Sequence, residues 1–205
     1  MKTKQTNKLW GAAFTVQPSE AVIQFTAGRD VASVPAADAA LLAYDLWVNK
    51  AHCVMLAKTG IIPVSDAAKL LFKIAELDKL AQSGNFSLDS SKEDVHSNIE
   101  SWLTEKLGIE VAGKLHTARS RNDQVVTDMK LYMRDQVLVY VKNSIGLAHT
   151  LLSLADAYKA LPFPGFTHHQ HAMVTTFGHE LAGFASMIVR DIERFKNWFT
   201  LHNTN

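Results

Sequence analysis

The sequence predicts an all-α protein, an N-terminal helical domain followed by the first two long helices of a helical bundle. Three observations carry this expectation. Apolar residues recur every three or four positions through most of the chain after Ala36, glycine and proline fall mainly between the periodic segments, and no run shows the two-residue alternation of a half-buried strand. Hydrophobic residues make up 47% of the chain, which is ample for a core and excludes a disordered polypeptide.

Residues 1 to about 36 carry Gly11, Pro18, Gly28 and Pro35 with weak periodicity, as expected of an irregular arm, with Trp10 and Phe14 as its buried anchors. From Ala36 to Lys58, the positions Leu41, Leu42, Asp45, Trp47, Val48, Val54, Met55 and Leu56 read as one long helix, closed by Thr59-Gly60 and Pro63. Ser65 is a suitable N-cap for the next helix, whose apolar face is Leu70, Leu71, Ile74, Leu77 and Leu80 and which stops at Ser83-Gly84-Asn85. Ser91-Lys92-Glu93-Asp94 has capping-box form and is expected to start a third helix that runs to Leu107, ahead of Gly108.

Beyond Asn122 the series Val126, Met129, Met133, Val137, Tyr140, Ala148, Leu151, Ala155 and Tyr158 steps by three or four. That is a helix of roughly 35 residues, about 50 Å long. A second set, Leu131, Leu138, Ile145 and Leu152, broadens the stripe, so neighbours should wrap this helix. Leu161-Pro162-Phe163-Pro164-Gly165 breaks it, and Met173, Phe177, Leu181, Phe184, Ile188, Phe195 and Phe199 mark a second long helix, expected to run antiparallel to the first. The domains expected are 1–112, the arm and helical domain, and 113–205, the start of the bundle.

Charge and cysteine content narrow the function. With 21 basic and 20 acidic residues the formal net charge is +1, which argues against nucleic acid and anionic membrane surfaces as partners. A small molecule or another protein is expected instead. Cys53 is the only cysteine, so no intramolecular disulfide can form, consistent with a reducing compartment. The polar N-terminus leads into no long apolar run, and a soluble, cytoplasmic protein without signal peptide or membrane span is expected.

Chemistry concentrates in Lys114-Leu115-His116-Thr117-Ala118-Arg119-Ser120-Arg121-Asn122-Asp123-Gln124, at the mouth of the longest helix. Arg119 and Arg121 offer guanidinium forks that match a carboxylate, Ser120 and Asn122 add neutral donors, and the free N–H groups of the helix start add a positive dipole end. The plainer account is that Ser120 or Asn122 is an N-cap and Arg121 pairs with Asp123 at the surface. Locally, Asp94 likewise reads as a dipole-complementing cap, His96 as a surface residue and His52 as a satisfied structural histidine.

The wording of these segments favours a site. Ser120-Arg121-Asn122-Asp123-Gln124, preceded by His116-Thr117 and followed by Thr127-Asp128, resembles the substrate-binding signature of argininosuccinate lyases, a family of the fumarase and aspartase superfamily. Glu93-Asp94-Val95-His96 and Pro164-Gly165-Phe166-Thr167-His168 match further family motifs in the same order, and Leu9-Trp10-Gly11, Tyr44-Asp45 and Ala51-His52 extend the resemblance over most of the chain. It implies a fumarase/aspartase-like helical bundle, here truncated, that eliminates arginine from argininosuccinate to leave fumarate. By resemblance, Ser120, Arg121, Asn122 and Thr167 bind substrate, His168 does acid–base work, and Asp94 and His96 support the site. The resemblance also implies a homotetramer whose sites are shared between subunits.

Several positions depart from the family pattern. Ala12 and Ala13 stand where the family has glycine and arginine, the segment Phe25–Asp30 has no serine, and His169 and Val174 replace leucine and proline. The family's catalytic serine loop, Gly-Ser-Ser-x-Met-Pro-x-Lys, is absent from the 205 residues, so an incomplete site is expected. His168, His169, His171 and His179 invite a metal reading, but a zinc site needs three or four converging ligands, and no metal or other cofactor is expected. Another lyase of the superfamily and a non-catalytic helical assembly protein are the alternatives.

Overall fold

The computed structural model describes Ser19, residues 21–22, residues 37–89 and residues 91–203. The expected anchors Trp10 and Phe14, the Leu9-Trp10-Gly11 match and the segment Phe25–Asp30 lie outside the described residues. The chain divides into two compact units, between Tyr132 and Met133.

In the first unit a 3-10 turn, Ala37–Leu41, leads into helix α1, Leu42–Lys58. Helices α2, Val64–Gln82, α3, Val95–Leu107, and the single turn α4, Ile109–Ala112, follow, with a further 3-10 turn at Gly113–His116. Helix α5, Arg121–Ala157, starts in this unit and continues into the second. The helical periodicity produces one shared core. Leu46, Cys53 and Leu56 of α1, Leu70, Ile74 and Leu77 of α2, and Val95, Ile99 and Leu103 of α3 are all buried in it. Gly60 and Gly84, each at φ 72°, end α1 and α2 in the left-handed turn that glycine adopts without a Cβ penalty. The amides just beyond them, on Ile61 and Asn85, return to the carbonyls of Leu56 and Leu80 at 2.9 and 2.8 Å.

Two helix starts differ from the expected ones. Pro63, not Ser65, caps α2, because its fixed φ of −60° and its carbonyl, which accepts from Asp66 and Ala67, already set the first turn. Asp94, not Ser91, caps α3, accepting the Ser97 N–H at 2.6 Å, while Ser91 donates its N–H and hydroxyl to Asp89. Lys114 reaches back to Asp66 at 2.5 Å, and its donation holds the Asp66 carboxyl below the usual range. This ion pair ties the approach to α5 to the first turn of α2.

In the second unit the remainder of α5 lies antiparallel to helix α6, Phe177–Leu201. Tyr140 stacks on Phe195, Arg134 covers the Phe199 ring, and at the other end Tyr158 packs against Phe177. Gly178 makes the close approach possible. A Cβ there would stand 2.3 Å from the Ala155 carbonyl oxygen and 2.7 Å from the Lys159 Cα.

The segment between these helices corrects the expectation of no strands. Residues Pro162–Thr167 and Gln170–Thr176 form an antiparallel hairpin, β1 and β2, and α6 begins only at Phe177, so Met173 is in a strand. Pro162 and Pro164 cannot donate to a helix, and β-branched Val174, Thr175 and Thr176 favour an extended partner strand. Thr176 then fixes the helix start by accepting the His179 N–H at 3.1 Å. The hairpin is short and sits between long helices, so the fold class remains all-α.

By length and composition α5 is apolar enough to cross a membrane. Its first turns nevertheless carry Gln124 and Asp128, which are buried among polar partners from α1 and α3. Most of its apolar surface lies further along, where Leu138, Val139, Ile145, Leu147 and Leu152 are exposed.

Candidate active site

Ser120 ends the extended approach to α5 and caps it. Its hydroxyl oxygen accepts the Asn122 N–H at 3.2 Å, and Asp123 accepts the Ser120 N–H at 3.3 Å, a reciprocal box that leaves both Ser120 and Asn122 side chains at the surface. Asp123 therefore works on the backbone. Arg121 does not pair with it as the plainer sequence account supposed. The Arg121 guanidinium instead turns toward α3, 3.6 Å from Asp94 Oδ1 and 3.5 Å from Glu100 Oε1. Both are ion-pair separations longer than a formed hydrogen bond, so the fork retains donors for a ligand carboxylate.

Asp94 thus has two tasks, capping α3 and facing Arg121. His96, two residues further into the helix, is not a surface residue. It is 2% exposed, with Nδ1 3.0 Å from Asp45 Oδ2 on α1 and 3.8 Å from Asp128 Oδ2 on α5. Around this histidine lies a polar cluster in an otherwise apolar unit. The Asn49 side-chain amide donates to Asp45 Oδ1 at 3.1 Å, the Gln124 amide donates to the same oxygen, and Arg119 Nη2 donates to Asn49 Oδ1 at 2.7 Å. His52 Nε2 lies 2.9 Å from the Thr117 carbonyl, which makes it the satisfied structural histidine expected.

Burial governs the electrostatics. It pushes the Glu100 carboxyl up to about 8, helped by the nearby charges of Asp94 and Asp45 and opposed by Arg119. It also raises Asp45, against the Gln124 hydrogen bond and the charges of Arg119 and Arg121, and raises Asp128, where the Asp45 charge adds to the effect. Arg119 is held below its ordinary value by the same desolvation, offset by Asp45, Glu100 and Asp128. A largely protonated Glu100 leaves Asp94 as the main counter-charge to Arg121, so the mouth of α5 keeps its positive character at neutral pH.

Thr167 and His168 belong to the second unit, at the hairpin tip. Thr167 pairs with Gln170 across a two-residue loop whose residues His168 and His169 have φ of 48° and 62°. Two consecutive positive φ values mark a type I′ turn, normally left to Asn and Gly. Holding two histidines there costs strain, and leaves both side chains exposed at the tip. Among the described residues the histidines of this turn join no group of three potential metal ligands, whereas Asp45, His96 and Asp128 do form one, their ligand atoms lying within 4.8 Å of one another.

The sequence reading did not assign Asp45, Asn49, Glu100, Gln124 or Asp128 to the site, and it offered Arg119 to a carboxylate ligand, whereas its Nη2 donates to Asn49. A signal existed. Asp45 interrupts the apolar face of α1, and Gln124 and Asp128, four apart, fall on the inward face of α5.

A long helix that opens on a capping serine, an arginine and an asparagine, above a buried acidic and histidine cluster, defines a helical fold with a cationic helix mouth. The chain belongs to the lyase family, whose model, described as Lyase, matches residues 5–205. It is 40% identical over 192 residues to an argininosuccinate lyase of Acidothermus cellulolyticus, covering 94% of this chain and 38% of that protein. To an argininosuccinate lyase of Streptococcus thermophilus it is 41% identical over 201 residues, covering 98% of this chain and 42% of the relative. Among solved structures, a variant of EDDS lyase with bound fumarate is similar at a TM-score of 0.70 and 26% identity, over 92% of this chain and 36% of that one. The chain therefore spans 38% to 42% of the length of these curated relatives.

Proposed function

We propose that this chain contributes to the reversible elimination of argininosuccinate to L-arginine and fumarate, in arginine biosynthesis. The observation that carries the reading is Arg121 at the start of α5, held at ion-pair rather than hydrogen-bond distance from Asp94 and Glu100 and so able to receive a carboxylate. The relatives named argininosuccinate lyase and the EDDS lyase with fumarate support that choice of ligand.

In the reaction a base removes a proton from the carbon beside a succinyl carboxylate, negative charge builds on that carboxylate, and the C–N bond breaks as the departing nitrogen gains a proton. Ser120, Arg121 and Asn122, with the α5 dipole, stabilise the charge, and Thr167 adds a hydroxyl donor. His168 moves a proton, Asp94 orients Arg121, and His96 supports the turn from below. The second proton-transfer group comes from outside these 205 residues, which contain no Gly-Ser-Ser-x-Met-Pro-x-Lys stretch. The chain on its own is accordingly inactive or incomplete.

We assign 1–112 and 113–205 as the functional domains, the second opening at the 3-10 turn before the substrate-binding signature. The exposed apolar positions of α5 and α6 are covered by further copies in a homo-oligomer, a tetramer, operating in the cytoplasm on a small-molecule substrate without a cofactor. The test is fumarate release from argininosuccinate, followed by ultraviolet absorbance, with His168→Ala as control. No release by the chain alone, and release on adding the downstream portion of an argininosuccinate lyase, is the expected result. Release by the unsupplemented chain that survives His168→Ala would sink the assignment.

A further inference from the structure

We propose that Asp45 and Asp128 hold one proton between them, carried on Asp128 and donated to Asp45, and that this bond across α1 and α5 positions the Ser120-Arg121-Asn122 turn. Both carboxyl groups are wholly buried, at 0% exposure, and an oxygen of each lies within 4.8 Å of the other. Two ionised carboxylates this close in a buried site repel each other and can offer each other no hydrogen, so a proton on one of them both removes a charge and supplies a donor.

The surroundings say which group carries it. Asp45 receives the amides of Asn49 and Gln124 on Oδ1 and has His96 Nδ1 3.0 Å from Oδ2, an environment suited to an anion. Neither oxygen of Asp128 has a hydrogen-bond partner, and His96 is 3.8 Å away. A neutral Asp128 that donates to Asp45 removes the cost of burying a second, unsupported charge. The other charged and titratable groups facing the pair are Asp94 and Glu100 from α3, Arg119 from the approach to α5, and Arg121 from α5 itself. Of these, Arg119 lowers both carboxyls and favours one anion, which Asp45 provides.

Positioning follows from what brackets the turn. Arg119 on one side bonds Asn49, which bonds Asp45, and Gln124 on the other side bonds Asp45 directly. Ser120, Arg121 and Asn122 lie between two residues anchored on the same carboxylate. Ionising Asp128 would repel Asp45 and release both anchors together. The inference rests on the proposed function only for what the turn binds.

Asp45, His96 and Asp128 also have the composition of a divalent-cation site. The Gln124 donor on Asp45 and the nearby Arg119 favour the proton, and the same experiment decides. The full chain, with 13Cγ-labelled aspartate and 15N backbone label, is titrated by NMR between about pH 5 and pH 9 and its metal content measured, alongside Asp128→Asn and Asp128→Ala. The proposal requires a neutral-carboxyl signal for Asp128 and an ionised one for Asp45 at pH 7, and Ser120–Asn122 amide shifts that follow the Asp128 titration. Asp128→Asn, which keeps a donor, should preserve those amide positions and abolish their pH dependence, whereas Asp128→Ala should displace them. An ionised Asp128 at pH 7, stoichiometric metal, or displacement by Asp128→Asn equal to that by Asp128→Ala would overturn it. Should the alanine variant fail to fold, the carboxyl signals and the asparagine variant still decide. Fumarate is then titrated into the same sample: absence of binding with the proton signature intact counts against Arg121 as a carboxylate site and leaves the proton pair standing.

Discussion

Replacing Glu100 by glutamine should stabilise the protein, and increasingly so at alkaline pH. Glu100 lies on α3 with its carboxyl oxygens buried and without a hydrogen-bond donor. Burial raises its carboxyl from 4.5 to about 8. The folded chain therefore retains a proton that the unfolded chain gives up, so stability is greatest at low pH, falls as pH rises from about 4.5 to about 8, and levels off above. At about 1.4 kcal/mol for each pH unit in that window, the penalty reaches up to about 3 kcal/mol at pH 7 and up to about 5 kcal/mol by pH 9. Glutamine keeps the shape and has no proton to lose. Urea denaturation of the two proteins at about pH 5, 7 and 9 measures the difference, and because the Asp45–Asp128 pair is present in both, subtraction isolates Glu100. Curves that stay parallel, or a variant less stable than the parent at pH 9, would mean that Arg121 holds Glu100 as an anion and that the burial argument is wrong.

Two further substitutions test the second unit. Gly178→Ala should cost about 1–3 kcal/mol or more, because the new methyl meets backbone of Ala155 and Lys159 that cannot step aside, and a melting temperature unchanged from the parent would refute the close contact. His169→Gly should raise stability by about 1 kcal/mol by relieving a positive φ at the hairpin turn while leaving His168 in place; thermal denaturation showing a loss would mean that the His169 side chain is engaged.

Much of the fold was legible from local chemistry. The three-and-four spacing of Leu70, Ile74 and Leu77, and the glycines after α1 and α2, identify helices and their ends because both signals act within one or two turns of backbone. The same locality explains the errors at the starts. Ser65 and Ser91 are good capping residues, but Pro63 and Asp94 compete for the same helix ends, and preference scales do not rank two candidates a few positions apart. The hairpin was missed because Met173 and Phe177 are four apart, as on a helix face, although Pro162, Pro164 and the β-branched run Val174–Thr176 pointed to extended backbone.

The site divides along the same line. Ser120, Arg121, Asn122, Asp94 and His168 could be singled out as candidates because the turns that display them are written in consecutive residues. That Arg121 faces Asp94 and Glu100 rather than Asp123, and that His96 lies between Asp45 and Asp128, depends on three helices distant in sequence meeting in one unit. Burial, and with it the raised carboxyls of Asp45, Glu100 and Asp128, is a property of that meeting. A single helix in water would leave each of these groups solvated and ordinary, and the low dielectric that alters them exists only after the helices have packed.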